Sequence, residues 1–376
     1  MEQKMNCIND QIDHIGDYEM NLSTSRSPSR SFARTAAAAL LLASGTIAHA
    51  QSPAGMRVAG NFSTNVRHSE GIERPFFTGL PAATGIPLAV NFNPMDVVNV
   101  KADDALRLLR SGTFDVMAVQ MGSVARDDPF VEGIDLVGVS TDMQALRAAV
   151  DAYRSELDAR MQRRFKTKIL TLWPFGPQVF YCSKPIASVD DFRGLKVRSF
   201  TPTMSALLQK LGATPVTIPF AEVYPALANG VVDCGVTSPN SGNSGKWPEV
   251  TGYYFPLSVS GSVQGHFANL DYWNRFSPEQ QAKIQAEFRK MEDQMWQFAI
   301  ETTADSQRCN TGGECKTGTP FKMKLVEPSD TDRAKIAAAV MESVLPIWRD
   351  ACNKVDPACS SLWNKTVGAA RGLTIQ

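Results

Sequence analysis

Histidine is scarce, with four in 376 residues, and two of these, His14 and His49, fall in the first fifty positions. The remaining pair, His68 and His266, offers neither tight metal-ligand spacing nor an H-E-x-x-H helix, so histidine gives a zinc centre little support. A G-x-S-x-G nucleophile elbow and a Walker A glycine loop are missing too, which leaves the familiar hydrolase and NTPase chemistries without a carrier. An excess of one charge is also lacking: Lys plus Arg and Asp plus Glu each number 38. Neither nucleic acid nor an anionic membrane surface finds a footprint on such a chain. After residue 50 no apolar run approaches the ~20 residues that span a bilayer.

An apolar run does occur earlier. Arg26, Arg30 and Arg34 precede TAAAALLLASGTIA, and Ala48-His49-Ala50 fits a small-x-small cleavage site, so residues 1–50 read as a signal peptide region. The stretch before Met20 is acidic and unlike a signal peptide, which makes Met20 an alternative start. Removing 50 residues leaves 376 − 50 = 326, enough for two domains, with (38 − 4) − (38 − 5) = +1 net charge. Six of seven cysteines lie beyond residue 50, an even number suited to disulfides in an exported chain. Cys309 with Cys315 and Cys352 with Cys359 bracket short loop-like segments, and each pair is expected to close a local staple of about 2 kcal/mol or less. Cys182 and Cys234 sit in apolar strands and read equally as a third bridge or as buried thiols.

From Gly55 apolar strands alternate with amphipathic helices, the βαβ rhythm of a mostly parallel sheet covered by helices. MRVAGNF, PLAVNFN and FDVMAVQ are strands, and a polar helix is expected from about Met143 to Arg164. KILTLWP returns as a strand, and the Gly- and Pro-bearing WPFGPQVF looks like a crossover into a second domain. Near Tyr253 to His266 the chain returns. Ser277-Pro278-Glu279-Gln280 is an N-cap serine, a first-turn proline and a capping-box glutamine; Ile284, Phe288, Met291, Met295 and Phe298 then mark one apolar stripe to about Thr303. A strand in FKMKLV, a helix over about Asp332 to Trp348 and a short helix around Leu362 to Ala370 complete the chain.

The most informative stretch is Ser188 to Asp233. GLKVR is a strand, TPTMSALLQKLG a helix closed by Gly212, TPVTIPF a second strand, FAEVYPALANG a helix closed by Gly230, and VVDCGV a third strand. This order puts Arg198 at the carboxyl end of a strand, where open α/β sheets bind ligands and where a guanidinium grips a carboxylate with two parallel hydrogen bonds.

DFRGLKVR, LQKLGATPV, PFAEVYPALANG and GVVD, in that order, resemble the signature of the extracytoplasmic solute receptors of TRAP transporters, dicarboxylate-receptor type. The resemblance implies an α/β, two-lobed periplasmic-binding-protein fold, with a cleft between the lobes and a long helix spanning both. It divides the chain into lobe I (51–173 plus 266–290), lobe II (174–265), a lobe-spanning helix (277–305) and a stapled C-terminal segment (306–376). It further implies a monomeric periplasmic receptor that captures a small organic acid, without cofactor, and hands it to small and large membrane permease subunits. A receptor feeding a chemotaxis or signalling protein is the alternative, and an exported enzyme acting on an organic acid is the reading from another class.

Arg198 is the expected carboxylate anchor. Where acid-binding relatives carry a second arginine, in a G-x-R-Q-type stretch, Gly176-Pro177-Gln178 puts Gln178, a neutral hydrogen-bonding amide. Thr237 aligns with the relatives' asparagine after the G-V-V-D strand, and Asn240 or Asn243 serves after a small shift. Trp173 is placed to cover the apolar body of the acid. From the first lobe Asn61 and Asn93 follow predicted strands, either as ligand contacts or as turn caps, and Arg67 is positioned to replace the charge missing at Gln178.

Overall fold

The alternating strands resolve into two six-stranded sheets in the computed structural model, which describes residues 54–376. The signal peptide reading of residues 1–50 and the alternative start at Met20 lie outside the described residues. The strands are β1 (Ala54–Gly60), β2 (Leu88–Pro94), β3 (Val116–Gln120), β4 (Thr167–Ile169), β5 (Trp173–Pro174) and β6 (Val179–Cys182), followed by β7 (Lys196–Ser199), β8 (Thr214–Thr217), β9 (Cys234–Thr237), β10 (Tyr253–Phe255), β11 (Val263–Asn269) and β12 (Lys324–Leu325). The first sheet runs β2-β1-β3-β11-β4, with β5 also paired to β11; the second runs β12-β10-β6-β9-β7-β8.

Both sheets are mixed, which corrects the expectation of mostly parallel pairing. β1 pairs parallel with β2 and β3, but β11 runs antiparallel to β3, β4 and β5. The reason lies in the crossover. β3 ends toward the second lobe at Gln120, and the returning β11 starts from that same edge, so Gln264 faces Gln120 in register and the strands must oppose. β9 and β6 repeat the arrangement in the second sheet, with Thr237 opposite Val179. Between the sheets the two crossing segments pair with each other: Gln178 N donates to Ser260 O at 2.8 Å and Val259 N to Gln178 O at 3.1 Å.

The long helix spans Pro278–Thr311, 34 residues and about 51 Å at 1.5 Å per residue, eight residues beyond its expected end. Its capping box forms as the sequence suggests, Ser277 Oγ accepting from Gln280 N and Gln280 Oε1 from Ser277 N, and Gly312 ends it in the left-handed region at φ 87°. Ile284, Phe288, Met291 and Met295 are buried, each contributing about 1.5–3 kcal/mol of apolar burial. Trp296 Nε1 donates to Leu172 O beside the first sheet, while Asn310 Nδ2, four turns on, donates to the Tyr181 hydroxyl and Pro239 O beside the second. One helix thereby packs on both lobes.

The C-terminal helices also reach both. Trp348 Nε1 and Trp363 Nε1 donate to Pro129 O and Gly133 O of a 3-10 segment, Pro129–Asp135, behind the first sheet. Asp332 accepts from Val189 N on the second lobe. Cys309–Cys315 and Cys352–Cys359 are bridged as expected, and Cys182–Cys234 forms the third disulfide, joining register partners of β6 and β9. Among the described residues no helix is long and apolar enough to cross a membrane.

Candidate binding cleft

Strand ends build the cleft. β1 and β3 from one sheet and β7 and β9 from the other stop at a shared cavity of about 790 Å³, and the residues that follow or end them line it: Asn61, Gln120, Phe200 and Thr237. This is where open α/β sheets leave room, because each strand's terminal groups face the opening rather than a covering helix.

Arg198 lies on the second wall and is only 4% exposed. Its Nε donates to Ile218 O at 3.0 Å and its Nη1 to Val236 O at 2.7 Å, so neighbouring strand ends hold the guanidinium plane. The ring of Phe200 lies 4.6 Å from its central carbon, and that of Trp247 lies at 5.9 Å. Burial lowers its pKa to about 9, which keeps it cationic near neutrality. Among the described residues no carboxylate pairs with it, and Nη2 has no hydrogen-bond partner. A buried cation held by neutral carbonyls alone is incompletely compensated, and an incoming anion would complete it.

Polar groups surround that charge. Thr237 closes β9, and its hydroxyl makes no hydrogen bond among the described residues. Gln178 donates Nε2 to Gly176 O at 2.9 Å, leaving Oε1 unpaired beside the cavity. On the facing wall Glu73 locks Asn61, accepting from its backbone N at 2.9 Å and from Nδ2 at 2.7 Å. His266 Nε2 lies 2.7 Å from the same carboxylate, and its Nδ1 meets the Thr171 hydroxyl at 2.9 Å, so Nε2 carries the donated hydrogen. Asn61 therefore presents its remaining amide oxygen from a rigid support. Among the described residues no cluster of His, Cys, Asp and Glu could hold a metal ion.

Other expected contacts stand elsewhere. Trp173 is fully buried in the hinge wall, stacked at 5.5 Å on His68, and does not line the cavity. Burial lowers the pKa of His68 to about 3, so it is a neutral ring in an aromatic cluster with Trp173, Phe175 and Phe298. Arg67 donates Nη1 to Asn240 Oδ1 at 2.7 Å and lies over Phe298, which makes these two residues partners across the lobes. Asn243 uses its whole amide on Asn310 and on the backbone of Thr319. Asn93 bonds Asn91 on β2, away from the lining. Phe200, Thr201, Phe220, Ser262 and Gln264 line the cavity without having been singled out. The strand-end rule that selects Arg198 reaches Phe200 and Thr201 too, whereas Ser262 and Gln264 start a strand and carry no such signal.

The lobes touch at several points. Gly122, after β3, meets Thr201 so closely that a Cβ there would lie 2.2 Å from Thr201 Cγ2. Glu132 accepts from Thr203 N and Oγ1, and Asp135 accepts from Ser260 Oγ at 2.8 Å, Gly261 N at 3.1 Å and Val263 N at 3.2 Å.

Two α/β lobes joined by paired crossover strands, spanned by one helix and facing each other over a polar cleft, have the architecture of a solute-binding protein. The chain belongs to the DctP family, bacterial extracellular solute-binding protein family 7, which it matches over residues 90–350. It is 29% identical over 154 residues to the ectoine-binding periplasmic protein TeaA of Halomonas elongata, covering 39% of this chain and 43% of that protein. It is also 29% identical over 130 residues to the sialic acid-binding periplasmic protein SiaP of Vibrio cholerae, covering 34% and 40%. The aligned stretch thus spans about two fifths of the length of either relative. In three dimensions the chain is similar to DctP7 of Bordetella pertussis, an extracytoplasmic solute receptor binding pyroglutamic acid (TM-score 0.72, 18% identity, 82% of this chain and 99% of that one). A TRAP solute-binding protein from Desulfovibrio salexigens with bound orotic acid gives TM-score 0.73 at 15% identity, covering 84% and 99%. At these identities the structural likeness establishes the fold, the two-lobed α/β architecture expected from the sequence.

Proposed function

We propose that the protein is the periplasmic receptor of a TRAP transporter, capturing a small organic acid between its lobes and delivering it to the small and large permease subunits. The observation that carries this reading is Arg198, a buried cation on the cleft wall whose acceptors among the described residues are two carbonyls. A carboxylate seated there supplies the missing countercharge, with Thr237, Gln178 and Asn61 as polar contacts on both sides. Closure follows because only the closed form lets both lobes touch one ligand. Relatives that bind sialic acid and pyroglutamic acid take acids as ligands and support the same reading. The receptor works as a monomer without cofactor, and capture involves no bond-making step.

The test is a thermal-shift and calorimetric screen of the chain from Gln51 against carboxylates, neutral sugars and amino acids. Carboxylates should raise the melting temperature while neutral sugars do not. Arg198→Ala should cost a binding acid about 2–4 kcal/mol, and Arg198→Lys should also bind less well, since a point charge cannot hold two carbonyls and still present a fork. Unchanged affinity in both variants sinks the proposal, and chemical consumption of the ligand favours an enzyme.

A further inference from the structure

Phenylalanine is concentrated in this cleft. Phe62 comes from the first lobe and Phe175, Phe200 and Phe220 from the second, and all four are half-buried where they line the cavity. Three of the rings are supported from behind. Phe200 lies under the Arg198 guanidinium, Phe175 sets its edge against Trp173 at 5.4 Å, and Phe220 stacks on Trp247 at 5.4 Å. Rings held in this way keep a face open to the cavity without losing further conformational freedom on binding, which favours a flat apolar guest.

Charge restricts the guest further. Away from Arg198 the lining carries four acids, Asp96, Asp103, Asp127 and Glu222, against two bases, Lys101 and Arg126. Of the acids, Asp127 has its pKa raised by partial burial and by neighbouring Asp103, Asp104 and Asp128, as expected in a negative local field. A second carboxylate on the ligand would meet that excess, whereas a neutral ring meets phenylalanine. The cavity, at about 790 Å³, lies in the upper part of the usual range for drug-sized ligands, roughly 300–1,000 Å³. A four-carbon acid would leave most of the rings uncovered.

We infer that the ligand class is an aryl- or arylalkyl-monocarboxylate, its one carboxylate on Arg198 and its ring between Phe62 and the Phe200–Phe220 wall. This rests on the carboxylate reading of Arg198 and adds the nature of the ligand body.

Calorimetry at pH 7.5 with 3-phenylpropionate, propionate, succinate and 3-phenylpropanol tests it. The aryl acid should bind at least about tenfold more tightly than propionate or succinate, and the alcohol should not compete. Phe62→Ala and Phe220→Ala should each weaken 3-phenylpropionate about tenfold and leave propionate within twofold. Phe62→Leu and Phe220→Leu, which keep the apolar volume, cover the case in which an alanine variant fails to fold, and should still favour the aryl acid less than the parent does. Succinate binding more tightly than 3-phenylpropionate, with an Arg198→Ala loss, overturns this inference alone. Equal weakening of propionate and 3-phenylpropionate by the Phe variants does the same. Carboxylate binding indifferent to Arg198→Ala, or no carboxylate binding at all, overturns the underlying reading as well.

Discussion

Glu132 of the first lobe accepts hydrogen bonds from the backbone N of Thr203 at 3.0 Å and from its hydroxyl at 2.5 Å, at the first turn of the second lobe's helix Pro202–Lys210. This carboxylate has no basic partner among the described residues; it is held by N–H and O–H donors at a helix N-terminus, and burial raises its pKa. The same turn follows Arg198 by a few residues, so Glu132 ties the wall that carries Arg198 to the opposite lobe. Glu132→Ala should leave Thr203 N unpartnered and destabilise the protein by about 1–3 kcal/mol, with a parallel loss of ligand affinity. Denaturant unfolding and calorimetry measure the two, and affinity unchanged alongside lost stability would show that the tie has no bearing on closure.

Gly122 and Thr201 approach each other across the cleft, and the missing side chain makes that approach possible. With a Cβ predicted to fall 2.2 Å from Thr201 Cγ2, Gly122→Ala should hold the lobes apart and weaken ligand binding about ten- to a hundredfold, some 1.4–2.8 kcal/mol. Thr201→Ser removes the offending methyl and keeps the hydroxyl that caps Met204 N, so the double variant should recover most of the affinity. Small-angle scattering with ligand should find Gly122→Ala more extended than the parent. Failure of Thr201→Ser to rescue would place the defect elsewhere.

Asp135 should make stability depend on pH in an unusual direction. Burial raises its pKa to about 6 despite the hydrogen bonds from Ser260, Gly261 and Val263. An acid whose folded pKa exceeds its unfolded one binds its proton more tightly when folded, so its contribution improves as pH falls from above 6 toward 4. A shift of this size corresponds to about 3 kcal/mol across that window. Relative to Asp135→Asn, the parent should gain stability between pH 7.5 and pH 4.5. Melting curves that stay parallel over that range would assign the pH dependence to other groups, such as Asp305 and Asp356, whose pKa values are lowered.

The three disulfides should differ in weight. Cys182–Cys234 closes 52 residues of chain, whereas the other bridges close 6 and 7. In the chain-entropy account that gives about 4 kcal/mol for the first and about 2 for each of the others. Replacing both Cys182 and Cys234 by Ala should therefore lower denaturant stability more than the same change at Cys309 and Cys315. Equal losses would mean that the long bridge acts mainly through native packing.

Local pattern carried much of this fold. The capping box at Ser277, the apolar stripe from Ile284 to Met295 and the αL glycines Gly212 and Gly230 depend on residues three or four apart or on a single φ, and each is present. Strand direction was not legible in the same way. The antiparallel course of β11 follows from the chain re-entering its sheet at the crossover, a condition set about 90 residues upstream, after β5.

The cleft divides along the same line. That Arg198 lies at the carboxyl end of a strand is a property of the sequence, because the G-L-K-V-R segment puts it one residue before the end of β7, and Gln178 lines the same cavity. Which other polar residues face the cavity was decided by packing. Arg67 and Asn240, both plausible as contacts, lie near enough across the lobes to satisfy each other, and Asn243 is used up by Asn310 and Thr319. Trp173 is covered by the hinge cluster, while four phenylalanines from two lobes converge on one cavity. A sequence determines which side chains can donate, accept or bury area, but whether those capacities are spent inside the protein or left for a ligand depends on distances that exist only once both lobes have folded against the long helix.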